Sequence, residues 1–215
     1  IESCKKTIEV VRQYDFFYGA LGVHPSDTAP LTEEDMKWLH DELLNDKMVA
    51  VGEIGLDYYW DEPSRDIQKK WFVRQLELAR EVNKPVIIHS RDAAADTLDI
   101  MKAEKCHEIG GVIHCFSYSK EMAREYLDMG FYIGIGGVVT FNNAKKVKEV
   151  AEYVPLESIV LETDCPYLAP VPNRGKRNSS INLPYVVDEI SRIKGIEPDE
   201  VINQTYNNAL RLYRI

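Results

Sequence analysis

The alternation of short apolar runs with longer amphipathic stretches restricts the fold of this chain more than any other feature. The apolar runs are FFYGALGV (16–23), MVAVGEIGL (48–56), PVIIH (85–89), GVIHCF (111–116), FYIGIGG (131–137) and SIVLETD (158–164). Amphipathic patterns with a period near 3.6 residues, which predict helices, occupy 66–82, 119–130, 143–154, 183–195 and 198–213. Apolar strands without inward and outward alternation, separated by helices, are typical of a parallel sheet covered on both faces.

Polar residues end several of these runs at regular intervals along the chain: His24, Glu53, His89, His114 and Asp164. The successive spacings are 29, 36, 25 and 50 residues, and the last spans two units because FYIGIGG lies inside it. One unit of roughly 25–35 residues is the size of a βα unit, and (β/α)8 TIM barrels build their active sites at the carboxyl ends of the strands. The sequence therefore predicts an α/β fold of the TIM-barrel type, with a doubly wound open sheet as the alternative. Because six strands can be counted, we expect the chain to lack its first two βα units, upstream of Ile1. We treat 1–215 as a single, N-terminally incomplete domain.

Four of these residues form a candidate metal site: Glu53, His89, His114 and Asp164. Imidazole nitrogen together with carboxylate oxygen suits zinc, manganese, nickel or magnesium. Asp164 is also a candidate catalytic residue, placed to accept a proton from an attacking water. Glu162, two positions earlier on the same strand face, is expected to support the site from behind. Taken singly, each has an ordinary alternative, such as turn formation by Asp164 before Pro166.

The same residues lie in motifs that resemble a known family. The segments GVHPSD, VAVGEIGLDYYW, KPVIIHSRDA, GVIHCFSYS, VLETDCPYLAP and RGKRNSSINLPYV are similar, in this order, to those of the TatD family of metal-dependent deoxyribonucleases, which are amidohydrolase-like TIM barrels. The resemblance implies hydrolysis of DNA phosphodiester bonds, typically as an exonuclease, with two divalent metal ions (Mg, Mn, Zn or Ni). It implies that Glu53 is shared by both ions, that His89 and His114 complete one site and that Asp164 holds the other ion.

One family feature is missing from the sequence. The family begins with a strand that carries an HxH pair for the second ion, and this chain has no HxH motif. As given, one metal site is therefore incomplete. We expect the HxH strand to lie upstream of Ile1, and the alternative is an inactive truncated barrel.

Substrate contacts are predicted in three places. The loop after the last strand carries a basic cluster that suits phosphate: Arg174, Lys176, Arg177 and Asn178. Arg91 follows His89 by two residues and is expected to contact phosphate, with a salt bridge to Asp57 or Asp92 as the alternative. The resemblance implies that His24 meets the substrate as part of the catalytic machinery. Asp57 is expected either to orient a ligand histidine or to cap its loop, and Tyr58, Tyr59 and Trp60 offer rings for base stacking, with packing against the barrel rim as the more ordinary explanation.

Charge and composition limit the partners. The formal net charge is −9, which opposes non-specific attraction to nucleic-acid phosphate, so metal ions or a local basic patch must reverse the field at the site. This charge also keeps open an amidohydrolase-type activity on a small lactone or amide. No apolar stretch reaches the roughly 20 residues of a membrane span, and the four scattered cysteines fit a reducing compartment. We therefore expect a cytoplasmic enzyme whose partner is DNA, without membrane association or an obligate protein partner.

Overall fold

The computed structural model describes all 215 residues, which fall into two compact units. The first unit comprises 1–111 and the last three residues. Its strands are parallel, adjacent in chain order, and separated by helices. In chain order its elements are α1 (Glu2–Gln13), β1 (Gly19–Leu21), α2 (Glu33–Leu43), β2 (Met48–Asp57), α3 (Arg65–Glu81), β3 (Val86–Arg91) and α4 (Ala94–Ala103).

The second unit comprises 112–212. It repeats the same architecture, with parallel strands that pair in chain order and helices between them. Its elements are β4 (Gly111–Ile113), α5 (Lys120–Asp128), β5 (Tyr132–Ile135), α6 (Lys145–Tyr153), β6 (Ile159–Leu161), α7 (Leu183–Lys194) and α8 (Pro198–Tyr213). No helix is both long enough and apolar enough to span a bilayer.

The six predicted strands and five predicted helices are all present, and the α/β class is confirmed. The predicted helix signals hold in detail: the Ser119 side chain accepts from the main-chain N–H of Met122, Gly130 follows α5 with a positive φ of 78°, and Pro198 opens α8. The structure adds α1, α2 and α4, which the periodicity does not predict individually. Of these, α2 begins with a reciprocal cap between Thr32 and Asp35, a sequence signal of a helix start.

The strands are buried, and this burial fixes where their polar ends emerge. Every residue of β2 other than Glu53 is buried, and Asp57 at its end is only 3% exposed. Val86 and Ile88 of β3 and Ile133 of β5 are fully buried. Because neighbouring strands run parallel, their carboxyl ends meet at one edge within each unit, which is where ligand sites form in such sheets.

Candidate metal centre

Glu53 lies within β2 and not at its end, which corrects the prediction that the strand stops at this residue. Gly52 pairs with Ile87 and Ile54 pairs with Ile88, so Glu53 is an extra residue in the ladder. Such a bulge re-aims the side chain of the inserted residue. The strand continues to Asp57, and Gly55 is required on the way because its φ is +143° and a Cβ there would lie 1.9 Å from the carbonyl oxygen of His89.

His89, on β3, is held between two carboxylates of the same unit. Its Nδ1 lies 2.8 Å from Glu53 Oε1, and its Nε2 lies 3.0 Å from Asp57 Oδ2. Asp57 Oδ1 accepts from the main-chain N–H groups of Tyr59 and Trp60 at 3.0 and 3.4 Å. An ionised carboxylate suits all these contacts, so Nε2–H donates to Asp57 and Nδ1 faces Glu53. Both roles weighed for Asp57, orienting a histidine and capping its loop, are therefore present.

His24 follows β1 and lies against His89, with ring centroids 4.3 Å apart. The main-chain N–H of Ser26 donates to His24 Nδ1 at 3.3 Å, and the Ser26 hydroxyl lies 2.7 Å from the same nitrogen. These contacts favour the tautomer that carries its proton on Nε2. Burial, and secondly the neighbouring His89, lower the pKa of His24. A neutral ring with Nε2–H is a hydrogen-bond donor, which suits contact with a substrate oxygen.

The donor atoms of this cluster suit a divalent cation. One candidate ligand atom from each of His24, Glu53 and His89 lies within 4.8 Å of the other two. With Nε2–H committed to Asp57, the lone pair on His89 Nδ1 and the Glu53 carboxylate face each other, and a proton or a cation between them is favourable. A carboxylate that accepts from the far side of a ligand histidine is the usual arrangement in metal sites. Glu53 and His89 therefore offer suitable ligand atoms for a cation, and their predicted roles as ligands stay a prediction.

The second unit repeats this arrangement around His114, which follows β4. His114 Nδ1 lies 2.7 Å from Glu162 Oε2, and Nε2 lies 3.4 Å from Asp164 Oδ1. Glu162 is mostly buried behind the imidazole, while the Asp164 side chain is 36% exposed. The structure thus brings His114 and Asp164 together, with Glu162 in the supporting position expected from the sequence.

The space for Glu162 is provided by β5. A Cβ at Gly134 would lie 2.5 Å from Glu162 Oε2, and a Cβ at Gly136 would lie 3.3 Å from its Cγ. Gly134 and Gly136, two of the three glycines of FYIGIGG, occupy alternate positions, which face the same side of an extended chain. Their spacing is a sequence signal for a large side chain on the neighbouring strand.

The loop after β6 places Asp164 and the predicted basic cluster. Asp164 has a positive φ of 53°, and its carbonyl oxygen accepts from the Tyr167 N–H at 2.9 Å. Asn178 is only 2% exposed, and its amide donates to the carbonyl oxygen of Thr163 at 2.7 Å. Asn178 therefore holds the loop that carries Asp164, and its burial argues against the predicted contact with substrate.

The basic side chains of this loop are exposed. The Arg174 guanidinium lies 3.6 Å from the centre of the Phe141 ring, and Lys176 and Arg177 extend from the loop surface. An arginine stacked on a ring keeps its N–H groups available to phosphate. In the first unit, the Arg91 guanidinium stacks on Tyr59 at 3.8 Å, in place of the salt bridge to Asp57 or Asp92 considered as an alternative.

Comparison with known proteins identifies the family. The family model described as TatD related DNase matches residues 1–214. The chain belongs to the TatD family. It is 47% identical over 210 residues to the uncharacterized metal-dependent hydrolase YabD of Bacillus subtilis, a match that covers 98% of this chain and 82% of YabD. It is 32% identical over 219 residues to the 3'-5' ssDNA/RNA exonuclease TatD of Cronobacter sakazakii, covering 99% of this chain and 83% of that protein.

Solved structures agree with this assignment. The structure of the TatD homolog YjjV from Escherichia coli K12 superposes with a TM-score of 0.93 at 30% identity, covering 100% of this chain and 83% of YjjV. The predicted resemblance and fold class are therefore confirmed, and the protein is a member of a family of metal-dependent hydrolases. The metal dependence in the names of its relatives agrees with the group of candidate donor atoms at His24, Glu53 and His89.

Two glutamines that the sequence prediction missed position this TatD-family site. Gln75 accepts from the Val23 N–H at 2.7 Å and donates to the Val23 carbonyl oxygen at 3.1 Å, next to His24. Gln68, seven residues earlier on α3, does the same for Asp57 at 2.8 and 3.0 Å. Both side chains are fully buried. Residues i and i+7 share a helix face, so polar residues on the apolar face of α3 were the available signal.

We expect Gln75→Leu to destabilise the protein. The change preserves the approximate size but leaves the N–H and carbonyl oxygen of Val23 unpaired. Each buried group without a partner costs about 1–3 kcal/mol, so the free energy of unfolding should fall by about 2–4 kcal/mol. Urea denaturation followed by circular dichroism measures this change. Gln13→Leu, at the exposed end of α1, is the matched control and should change stability by less than about 0.5 kcal/mol; equal effects of the two changes would contradict the role given to Gln75.

Proposed function

We propose that this chain is a metal-dependent nuclease that hydrolyses phosphodiester bonds of DNA, removing nucleotides from an end of a single strand. The observation that carries the proposal is the cluster of His24, Glu53 and His89 in the first unit, in which Glu53 and His89 offer the ligand atoms and His24 offers a hydrogen-bond donor. Membership of a family described as TatD related DNase supports it, as does similarity to a relative named for exonuclease activity on single-stranded DNA and RNA.

The proposed ligands are Glu53 and His89 in the first unit and His114 and Asp164 in the second, for two divalent ions. Bound ions would lower the pKa of water and offset negative charge on the phosphate. Asp57 and Glu162 each accept from the far side of a histidine ring, at 3.0 and 2.7 Å. Such carboxylates fix the ring orientation and increase its basicity as a ligand.

Three groups of side chains act on the substrate in this proposal. Asp164, which water reaches because the side chain is 36% exposed, accepts the proton of the attacking water. His24 donates Nε2–H to a phosphate oxygen. Arg91, Arg174, Lys176 and Arg177 bind phosphates along the strand, which offsets the net charge of −9 locally.

The direct test is release of nucleotides from end-labelled single-stranded DNA by the purified chain. Release is expected with Mg²⁺ or Mn²⁺ and should stop when EDTA is added. A panel of small lactones and cyclic amides, measured in parallel, tests the amidohydrolase alternative. Absence of metal-dependent DNA cleavage with Mg, Mn, Zn and Ni, together with turnover of a lactone or amide, would overturn the nuclease proposal.

The basic loop separates the two activities more sharply. We expect Lys176→Glu/Arg177→Glu to lower kcat/KM on single-stranded DNA at least about tenfold, and to reduce the slope of log affinity against log salt by about 0.7 for each phosphate that the loop no longer binds. Lys6→Glu/Lys37→Glu changes the net charge equally at exposed positions of α1 and α2 and should leave both quantities nearly unchanged. Equal effects of the two double variants would assign the loop charges to general solubility.

A further inference from the structure

The loop that follows β2 carries two solvent-exposed aromatic rings beside the cluster of His24, Glu53 and His89. Tyr59 is 53% exposed and Trp60 is 67% exposed. Their rings meet edge to face, with centroids 4.9 Å apart and an interplanar angle of 87°. Two exposed neighbouring rings in one short loop offer a surface on which a planar ligand can stack.

The neighbouring Tyr58 anchors this loop, so the exposure of Tyr59 and Trp60 is not shared by every aromatic residue of the segment. The Tyr58 hydroxyl donates to Asp96 at 2.6 Å, and the Arg65 guanidinium covers its ring at 4.2 Å. Tyr58 is therefore fixed against α3 and α4, whereas Tyr59 and Trp60 are directed away from the packed interior. The predicted packing against the rim applies to Tyr58 alone.

Asp57 couples these rings to the proposed metal ligand. One carboxylate oxygen accepts from the main-chain N–H groups of Tyr59 and Trp60, and the other accepts from His89 Nε2. The loop conformation and the orientation of His89 thus depend on the same side chain. A ligand that stacks on these rings is held at a fixed position relative to Glu53 and His89.

The positive charge of Arg91 beside these rings indicates which kind of ligand they can bind. The Arg91 guanidinium lies over the Tyr59 ring, 3.8 Å from its centre, so a cation covers one face of this ring and Trp60 is the more exposed of the two rings. Planar bases stack on aromatic side chains, while arginine binds the adjacent phosphate. This combination fits one segment of a single-stranded nucleic acid better than an aliphatic or acidic partner.

We propose that Tyr59, Trp60 and Arg91 form a nucleobase-stacking subsite that positions single-stranded DNA relative to the metal centre. This inference rests on the proposed function and adds the substrate feature that is recognised, an unpaired base. A duplex keeps its bases stacked on each other, so the subsite favours single strands or frayed ends.

The test combines changes in the protein with changes in the substrate. Oligonucleotides with one abasic position, moved stepwise from the cleaved end, are compared with the intact strand using wild-type protein with Mn²⁺. One abasic position should lower kcat/KM about tenfold, the effect expected from loss of one stacked base. Trp60→Ala should lower kcat/KM on the intact strand by a similar factor, and the same abasic position should then have no further effect.

Two variants control this comparison. Trp60→Phe keeps a stacking ring and should restore both the rate and the sensitivity to the abasic position. Phe16→Ala removes a ring that is 74% exposed. Phe16 precedes β1, whereas His24 follows this strand, so the ring lies at the other end of β1 and the variant should behave as wild type. The subsite would be overturned if the decreases caused by Trp60→Ala and by the abasic position multiplied. An unchanged kcat/KM of Trp60→Ala on the intact strand would also overturn it.

Binding separates this inference from the proposed function. Fluorescence anisotropy in EDTA measures the affinity of the wild type and of Trp60→Ala for intact and abasic strands without cleavage. Suppose that the protein cleaves no DNA, but that Trp60→Ala lowers its affinity about tenfold for the intact strand only. This result would support the stacking subsite and refute the nuclease proposal. A chain that cleaves DNA but binds abasic and intact strands equally refutes the subsite alone.

Discussion

Glu53→Gln is expected to abolish binding of a divalent ion at the site proposed in the first unit while leaving the fold in place. Glu53 Oε1 lies 2.8 Å from His89 Nδ1, and a glutamine of the same size can donate its amide N–H to that nitrogen. The contact with His89 is therefore kept, as a hydrogen bond, and only the negative charge is removed. Ion affinity should fall at least about a hundredfold, because changing even the groups behind metal ligands costs about 10–100-fold.

The measurement is the binding isotherm of Mn²⁺, from calorimetry or from the resonance signal of the free ion. Wild type should show a tight site that Glu53→Gln lacks, and metal-dependent hydrolysis should disappear in parallel. Glu9→Gln makes the same chemical change at an exposed position on α1 and should retain the site. Melting temperatures measured in EDTA should agree for all three proteins, since the exchange disturbs no buried packing.

A variant that still binds the ion as tightly as wild type would exclude Glu53 as a ligand. In that case Glu53 would act through its contact with His89 and not through an ion, and the candidate cluster would lose its only carboxylate. Loss of hydrolysis with unchanged ion binding would instead assign Glu53 to the reaction itself.

The strands were predictable because they depend on local composition, whereas the place of Glu53 was not. Each predicted apolar run contains a strand, since a buried parallel strand needs apolar residues on both faces. The sequence predicts Glu53 at the end of its strand because a charged residue usually leaves a buried strand there. The structure keeps it inside β2 through a bulge opposite β3, which depends on pairing with residues more than thirty positions away.

The sequence also failed to predict the roles of polar residues that act through long-range contacts. The sequence allows two roles for Asp57 and does not show that its two oxygens serve His89 and the following loop at once. Gln75 reaches Val23 across 52 positions, and helix periodicity gives no indication of such a partner. Asn178 stands among basic residues in the sequence, which predicts a shared role, although it is buried while they are exposed.

Asp164→Asn is the second change expected to have a large effect. Its carboxylate, 3.4 Å from His114 Nε2, is proposed both to hold an ion and to accept the proton of the attacking water. Loss of a positioned proton acceptor lowers kcat by about 10²–10⁴-fold. We expect this decrease on single-stranded DNA with a much smaller change in KM, measured with saturating Mn²⁺. Asp199→Asn, in the first turn of α8, is the matched control and should retain full activity.

Combining Glu53→Gln with Asp164→Asn tests whether the residues of the two units serve one reaction. Residues that act as a unit in a catalytic step are strongly non-additive, so the double variant should be about as slow as the slower single variant. Two independent reactions, or one unit that merely supports folding, would instead multiply the two decreases. The same comparison between Glu53→Gln and His114→Ala shows whether the two histidine–carboxylate pairs contribute to a common step. Multiplying decreases in both combinations would contradict the common metal-dependent chemistry proposed for Glu53, His114 and Asp164.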